Sequence, residues 1–386
     1  MSSPAVYLQA MGLSCALGAD AAAVREGLFT SRPPQVPRTD AFSPGRPVAL
    51  GVASVPPGAP RTHALASQAL AGIASDVARA VDRFGPARVA VVVGSSTAGV
   101  AEGEAAELAR AVHGHWPAGY HYALQEMASP ARHVAAAVGA AGPVYGISTA
   151  CSSGAKALAA GARLLQAGLA DAVVCGGADA LCRLTVAGFS ALESVSAGVC
   201  NPMSRHRDGI HLGEGGALFL LGREPGPLRL AGWGETSDAH HMSAPDPTGR
   251  GAEDAMRRAL QRAGLGAGAI DYLNLHGTAT PHNDAMESRA VAAVFGSALP
   301  ASSTKPLTGH TLAAAGALEA AFCWLTLVDN PGGRLPAHWW DGAVDETLPA
   351  LHLVRPGETA PRPPRTALSN SFAFGGSNVS LLFAAE

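Results

Sequence analysis

Aromatic side chains make up only 5% of this 386-residue chain and charged ones only 15%. With a formal net charge of -3 at pH 7, nothing global attracts nucleic acid or an anionic membrane surface, so an acidic partner must meet a local basic patch. The six cysteines include no C-x-x-C pair, and a chain this long needs no disulfide framework; they read as reduced and cytosolic. The first residues lack a basic segment followed by an apolar one, which argues against a secretion signal. The most apolar helical stretch, residues 312–328, is interrupted by Glu319 and is too short to span a bilayer, so a buried helix is expected there.

What the chain has in place of aromatics is Ala and Gly, a composition suited to helices packed closely on sheets. A strand is expected over residues 5–14, then a helix capped by Asp20, an irregular Pro-rich surface stretch over 31–60, and one helix over 64–84. VAVVVG at 89–94 and DAVVCG at 171–176 read as buried strands, and PVYGI at 143–147 as a further strand. Their alternation with helices predicts a parallel α/β sheet. Residues 99–122 are polar and helical, then broken by Gly and Pro, as an interface or lid would be. After a break near residue 225 the pattern repeats, with helices over 252–263 and 284–295, a strand over 271–275, and a second Ala/Gly-rich helix after a Gly-His turn. Two similar α/β halves, 1–225 and 226–386, are the expected organisation.

Four local patterns carry chemistry. In ISTACSSGAKALAAGARLLQAG, Cys151 sits where a buried helix begins, and the unpaired N–H groups and dipole there bias a thiol toward its thiolate. NLHGTATPHNDAMES places His276 at the C-terminal end of a strand, where open α/β sheets build their sites. SSTKPLTGHTLAAAGALEA brings Lys305, His310 at a helix start, and Glu319 further along. SNSFAFGGSNVSLLF follows Phe374 with Gly375 and Gly376, which let backbone amides come close to a ligand. Each alone has a plainer explanation: a small core cysteine, a hydrogen-bonded structural histidine, a turn.

Together, and in this order, they resemble the β-ketoacyl-acyl-carrier-protein synthases of the thiolase superfamily, in the elongating Cys-His-His branch. RDGIHLGEGG at 207–216 and HMSAP at 241–245 match as well, so the resemblance covers essentially the whole chain. It implies a thiolase-like fold with a layered α-β-α-β-α core. It also implies a decarboxylative condensation that extends an acyl thioester on Cys151 by two carbons from malonyl carrier. His276 and His310 would donate N–H groups to the enolate, and the Cys151 and Phe374 amides would hold the oxyanion, with Phe374 to Gly376 as the gate. Lys305 would be a structural partner of Glu319, a participant in catalysis, or both. No metal and no separate cofactor are implied; carrier-bound phosphopantetheine thioesters are the substrates.

Rival readings fare worse on the same residues. Priming enzymes use Cys-His-Asn, whereas His310 occupies the second position here. A degradative thiolase needs a second reactive Cys near the C-terminus, and none follows Cys323. A non-catalytic chain-length factor, a binding subunit, lacks the nucleophile that Cys151 supplies. Three departures set this chain apart from housekeeping fatty-acid elongation. Glu193 stands where elongating members commonly carry an Arg for the acidic carrier, Ala373 replaces the usual Gly before the gate, and the connection near residue 225 is short. These features resemble aryl-polyene or related type II polyketide ketosynthases. Such a protein would be cytoplasmic, would meet an acyl carrier protein, and would form a homodimer or a heterodimer with a chain-length-factor-like homologue.

Overall fold

β-Branched apolar runs make strands and Ala-rich runs make helices in alternation along the chain. The computed structural model describes residues 4–386. The chain begins with β1 (Tyr7–Cys15), α1 (Ala21–Leu28), β2 (Arg38–Thr39), β3 (Val48–Gly51), α2 (Arg61–Ala71), α3 (Ala74–Phe84), β4 (Val89–Gly94) and α4 (Val100–His113). It continues through α5 (Ser129–Val138), β5 (Val144–Ile147), α6 (Ser153–Gln166), β6 (Ala172–Asp179), α7 (Arg183–Ala191), β7 (Leu212–Gly213) and β8 (Gly215–Gly222). Then come β9 (Leu228–Ser237), α8 (Arg250–Ala263), β10 (Tyr272–Asn274), α9 (Pro281–Phe295), β11 (Pro300–Ser302) and α10 (Lys305–Thr308). The last elements are α11 (Ala315–Leu327), β12 (His352–Leu353), β13 (Thr366–Ala373) and β14 (Ser377–Ala385).

Eleven strands join in the order β12-β11-β10-β13-β14-β9-β1-β8-β6-β4-β5. Reading outward from the centre, β1-β8-β6-β4-β5 and β9-β14-β13-β10-β11 have the same pattern: two antiparallel pairings, then two parallel ones. The sheet is therefore mixed, not parallel as the alternation of elements suggested. The difference lies in β8 and β14, which enter each half antiparallel to their neighbours and which the periodicity reading did not separate from the surrounding loops. A short antiparallel pairing, Tyr7 with Arg229 and Leu8 with Leu228, links the two patterns.

Helices α6 and α11 pack against each other and against strands of both patterns, while α2, α3 and α5 cover one outer face and α8 and α9 the other. This is the expected thiolase-like layering. The central layer holds the largest apolar cluster, including Leu158, Phe219, Phe322 and Phe383, each buried. Complete burial of one such Leu stabilises the fold by about 2 kcal/mol. Glycine permits the close approach of the two helices. A Cβ on Gly154 would lie 2.7 Å from the Ala313 carbonyl, and one on Gly316 would lie 2.7 Å from the Ala155 Cβ.

Asp20 caps α1 as expected, accepting the Ala23 N–H at 2.9 Å. Two other expectations change. The single helix over 64–84 is two, broken at Gly72 and Ile73, where Ile73 leaves the helical conformation at φ -126° and β1 passes so close that a Cβ on Gly72 would meet Gly12 Cα at 2.9 Å. The Pro-rich stretch is also less superficial than its composition implied: β3 is buried and forms a small sheet with β2 and β7. Among the described residues, no helix is long and apolar enough to cross a membrane, and residues 312–328 are a short 3-10 turn followed by the buried α11.

Candidate active site

Between β5 and α6 the chain turns through Ala150, whose φ of +51° is a left-handed conformation that costs an L residue about 1–2 kcal/mol. Ser153 holds the turn, since its Oγ accepts the Thr149 N–H at 2.8 Å and donates to the Ala150 carbonyl at 2.6 Å. Cys151 is thereby presented two residues before α6 starts, 5% exposed. The helix terminus does not make it a resting thiolate. Burial pushes the thiol up to about 12; the Lys305 charge opposes this, and Asp179 and Glu319 add to it. Burial thus opposes the thiolate bias expected at the helix terminus, and the sulfur needs a base at hand.

The group placed to serve as one is His310, whose Nε2 lies 3.0 Å from the Cys151 Sγ. Its backbone is clamped by the segment around β7, the N–H donating to the His211 carbonyl at 2.8 Å and the carbonyl accepting the Gly213 N–H at 3.0 Å. His276, at the end of β10, lies with its ring 5.4 Å from that of His310 and nearly perpendicular to it. The backbone N–H groups of His276 and Gly277 both donate to the buried Glu287 carboxylate, at 2.8 and 2.7 Å. Burial, and then the Lys305 charge, hold both imidazoles well below their ordinary range and therefore neutral.

The two rings differ behind the site. Lys305 Nζ approaches His276 Nδ1 at 3.4 Å and also donates to the His276 carbonyl. An ammonium can only donate, so Nδ1 is an acceptor and the ring hydrogen sits on Nε2. Nδ1 of His310 is buried with no hydrogen-bond partner, so its tautomer is not fixed from behind. Lys305 also donates to Glu319 Oε1 at 2.5 Å in a buried ion pair. Burial raises the Glu319 carboxyl to about 7 against the pull of that lysine. Lys305 thus sits behind His276, bonded to its backbone carbonyl and facing its Nδ1, and its charge is also felt at Cys151 and His310. The ligating atoms of Cys151, His276 and His310 lie within 4.8 Å of one another. That is a donor set a soft metal ion could use, although the lysine at its edge opposes a second cation.

A cavity of about 90 Å³ joins these groups to Phe189, Phe372 and Phe374. The Phe374 and Phe189 rings, both lining it, lie 5.6 Å apart and tilted by 35°. So small a space holds a few waters, not an acyl chain with its carrier arm, so the aromatic lining must move before substrate enters. Clefts of greater volume exist, one of about 1090 Å³ beside Trp340 and Asp345, but it lacks the nucleophile.

In the Gly-Gly segment one of the two amides is already engaged within the protein. Gly375 has φ +79° and its N–H donates to the Met242 carbonyl at 2.8 Å, so this amide is occupied and not presented to a ligand. Gly376, at φ +72°, accepts the Asp238 N–H at 2.9 Å through its carbonyl, and a Cβ there would strike Asp238. Glu193 is exposed at φ +53°, next to Ser194, which lines the cavity.

The sequence reading did not pick out Phe189, Glu287 or Asp179 as contributors. A signal existed for Glu287: α9 turns Asn283, Asp284, Glu287 and Ser288 inward at helical spacing, all buried, which marks a polar face aimed at something other than solvent.

The chain matches the description "Beta-ketoacyl synthase, N-terminal domain" over residues 64–225 and "Beta-ketoacyl synthase, C-terminal domain" over residues 229–331. Its structure superposes with a TM-score of 0.93 on the ketosynthase ApeO of Xenorhabdus doucetiae, solved in complex with its chain length factor ApeC. The two are 41% identical, covering 99% of this chain and 98% of that one. With such a fold around a buried Cys-His-His site, the chain belongs to the β-ketoacyl synthase family. Among curated relatives, it is 37% identical over 283 residues to the mitochondrial 3-oxoacyl-[acyl-carrier-protein] synthase of Arabidopsis thaliana, covering 65% of this chain and 58% of that protein. It is 35% identical over 273 residues to 3-oxoacyl-[acyl-carrier-protein] synthase 2 of Staphylococcus aureus (strain COL), covering 64% of this chain and 62% of that protein. The matched stretch thus spans less than two thirds of those relatives' length.

Proposed function

We propose that the protein is a condensing acyltransferase that extends a Cys151-bound acyl thioester by two carbons from a malonyl carrier. The observation that carries this reading is the contact of His310 Nε2 with the Cys151 sulfur, beside a second neutral imidazole whose hydrogen is fixed on Nε2. In the loading step the Cys151 sulfur attacks the incoming thioester carbon. Its proton passes through His310 to the departing carrier thiolate, and a new thioester forms. The unlocked tautomer of His310 suits this role, since the ring must first accept and afterwards donate. In the second step the bond from the malonyl methylene to its carboxylate breaks and releases carbon dioxide. The electron pair then enters an enolate whose oxygen meets the Nε2 hydrogens of His276 and His310. The methylene carbon attacks the Cys151 thioester, and collapse expels the Cys151 thiolate, which takes up a proton from solvent water as the product leaves.

Lys305, Glu319 and Glu287 are positioning residues in this scheme, Phe374 is the gate, and the Cys151 and Phe374 amides are the oxyanion donors. We place the nucleophile in a unit formed by residues 1–225 and the histidines and gate in one formed by 226–386. The substrates are phosphopantetheine thioesters on an acyl carrier protein, with no further cofactor, and the setting is the cytoplasm. The pathway is of the aryl-polyene or type II polyketide kind, and the likeness to a ketosynthase solved with its chain length factor supports it. A second ketosynthase-like chain, identical or lacking the Cys, would cover the exposed Leu108, Val112, Trp116, Tyr122 and Leu184 around α4 and α7. It would also meet β5, which ends the sheet order.

Intact-protein mass spectrometry after incubation with an acyl carrier tests the reading. The acyl mass should appear on the native chain and be absent from Cys151→Ala, which should keep the native fold and lose condensation by more than about a thousandfold. Acylation of Cys151→Ala, or no acylation of the native chain by any primer, would overturn it.

A further inference from the structure

One buried carboxylate near the site carries no step of the reaction above. Asp179, 1% exposed at the end of β6, is surrounded by donors. Its Oδ1 accepts from Ser95 Oγ and the Ser96 N–H at 2.8 Å, and from the Thr97 N–H and Oγ1 at 3.0 Å. Its Oδ2 accepts from Ser96 Oγ at 2.5 Å and from the backbone N–H of Ala313 at 2.8 Å. The last bond reaches the turn that directly follows His310. We propose that Asp179 is a positioning residue for His310: by holding the Ala313 peptide it fixes the turn that aims the imidazole at Cys151 and at the substrate above it.

Three features of that turn require such a hold. Leu312 has φ +50°, a conformation that non-glycine residues adopt only where their surroundings impose it. The Ala313 carbonyl is wedged between α6 and β6, where a Cβ on Gly154 or Gly177 would lie 2.7 or 2.9 Å from it. The His310 peptide is anchored on its other side by the His211 carbonyl and the Gly213 N–H. The imidazole is therefore carried on a short segment pinned at both ends, and Asp179 supplies the C-terminal pin. Its remaining donors come from the loop that leads into α4, so one carboxylate ties that loop to the histidine. A carboxylate offers acceptors at both of its oxygens; an amide would turn an N–H₂ toward one of the two groups.

The assignment rests on the condensing role of His310, and its test separates the two. Native protein and Asp179→Asn are loaded with an acyl group, the acylated fraction is counted by intact mass, and carbon dioxide release from malonyl carrier is measured per acylated site. A general folding defect reduces the number of acylated sites and leaves the rate per site alone, whereas a misaimed His310 lowers the rate per site. We expect that rate to fall by at least about tenfold in Asp179→Asn. A rate per site within about twofold of native overturns the assignment. If acylated native protein releases no carbon dioxide, the condensing reading itself fails and takes this assignment with it. Should Asp179→Asn not fold, Asp179→Glu decides: it keeps both oxygens but is a methylene longer, and an intermediate loss per site is expected. An unchanged rate per site in that variant overturns the assignment equally.

Discussion

Helices α6 and α11 lie side by side in the central layer and share an Ala/Gly-rich composition. Yet α6 leaves Arg163 exposed and Lys156 half-buried, whereas every residue of α11 is buried, Glu319 among them. Each is preceded by a turn with a left-handed non-glycine residue, Ala150 before α6 and Leu312 before α11, and each turn presents one reacting side chain. The turn before α6 brings a nucleophile and needs no charge inside the helix. The one before α11 brings an imidazole, and α11 adds an interior carboxylate whose lysine partner reaches back to the other imidazole. Equivalent scaffolds have thus been loaded differently, and the charge inside α11 belongs to the site as much as to the helix.

Removing the interior charge should have the largest effect. Glu319→Ala leaves Lys305 buried without its counter-ion and should cost about 3–5 kcal/mol in chemical denaturation, whereas Lys156→Ala on the partly exposed face of α6 should stay within about 0.5 kcal/mol. Similar losses in the two variants would break the comparison. The state of the nucleophile comes next. With the thiol pushed up to about 12 by burial, the thiolate fraction rises with pH over the whole range in which the protein can be handled. Alkylation of Cys151 by iodoacetamide should accelerate by about tenfold per pH unit from neutral pH upward, with no plateau. A plateau near neutral pH would mean that the terminus of α6 outweighs desolvation after all. The smallest effect should come from the rim, where a charge is exposed and screened. Glu193→Arg should raise activity with an acidic fatty-acid carrier by about two- to fivefold at low salt, fading at high salt. Equal gains with every carrier at high salt would place Glu193 away from the docking face.

What could be read from the sequence was what is encoded locally. Cys151 before an Ala/Gly helix, His276 after a strand, and the Lys305, His310 and Glu319 series each lie within one short segment, and the structure brings all five together. The residues that hold them were hidden because their partners are distant. Glu287 serves backbone amides ten and eleven positions earlier, and Asp179 serves an amide 134 positions later. In sequence, Asp179 is only the last polar residue of a glycine-containing strand. The same limit applies to the fold. Period and composition located the buried strands, but the antiparallel entry of β8 and β14 and the break at Gly72 arise from contacts between segments far apart. The burial that opposes a Cys151 thiolate was hidden as well: the terminus of α6 was visible, while the dryness around it depends on the entire central layer.

The bond from the Gly375 N–H to the Met242 carbonyl has a mechanical consequence. Gly376 is tied to Asp238, Asn378 donates to the Asp238 carboxylate at 2.6 Å, and Met242 itself is 80% exposed. The 374–376 segment and the 238–242 loop are thus stitched into one piece, and Phe374, in its proposed role as gate, would swing only as far as the loop travels with it or these stitches break. An opening of that kind would act as a lever whose long arm protrudes into solvent. A dye attached at position 242 would report from outside the protein each movement of the Phe374 segment.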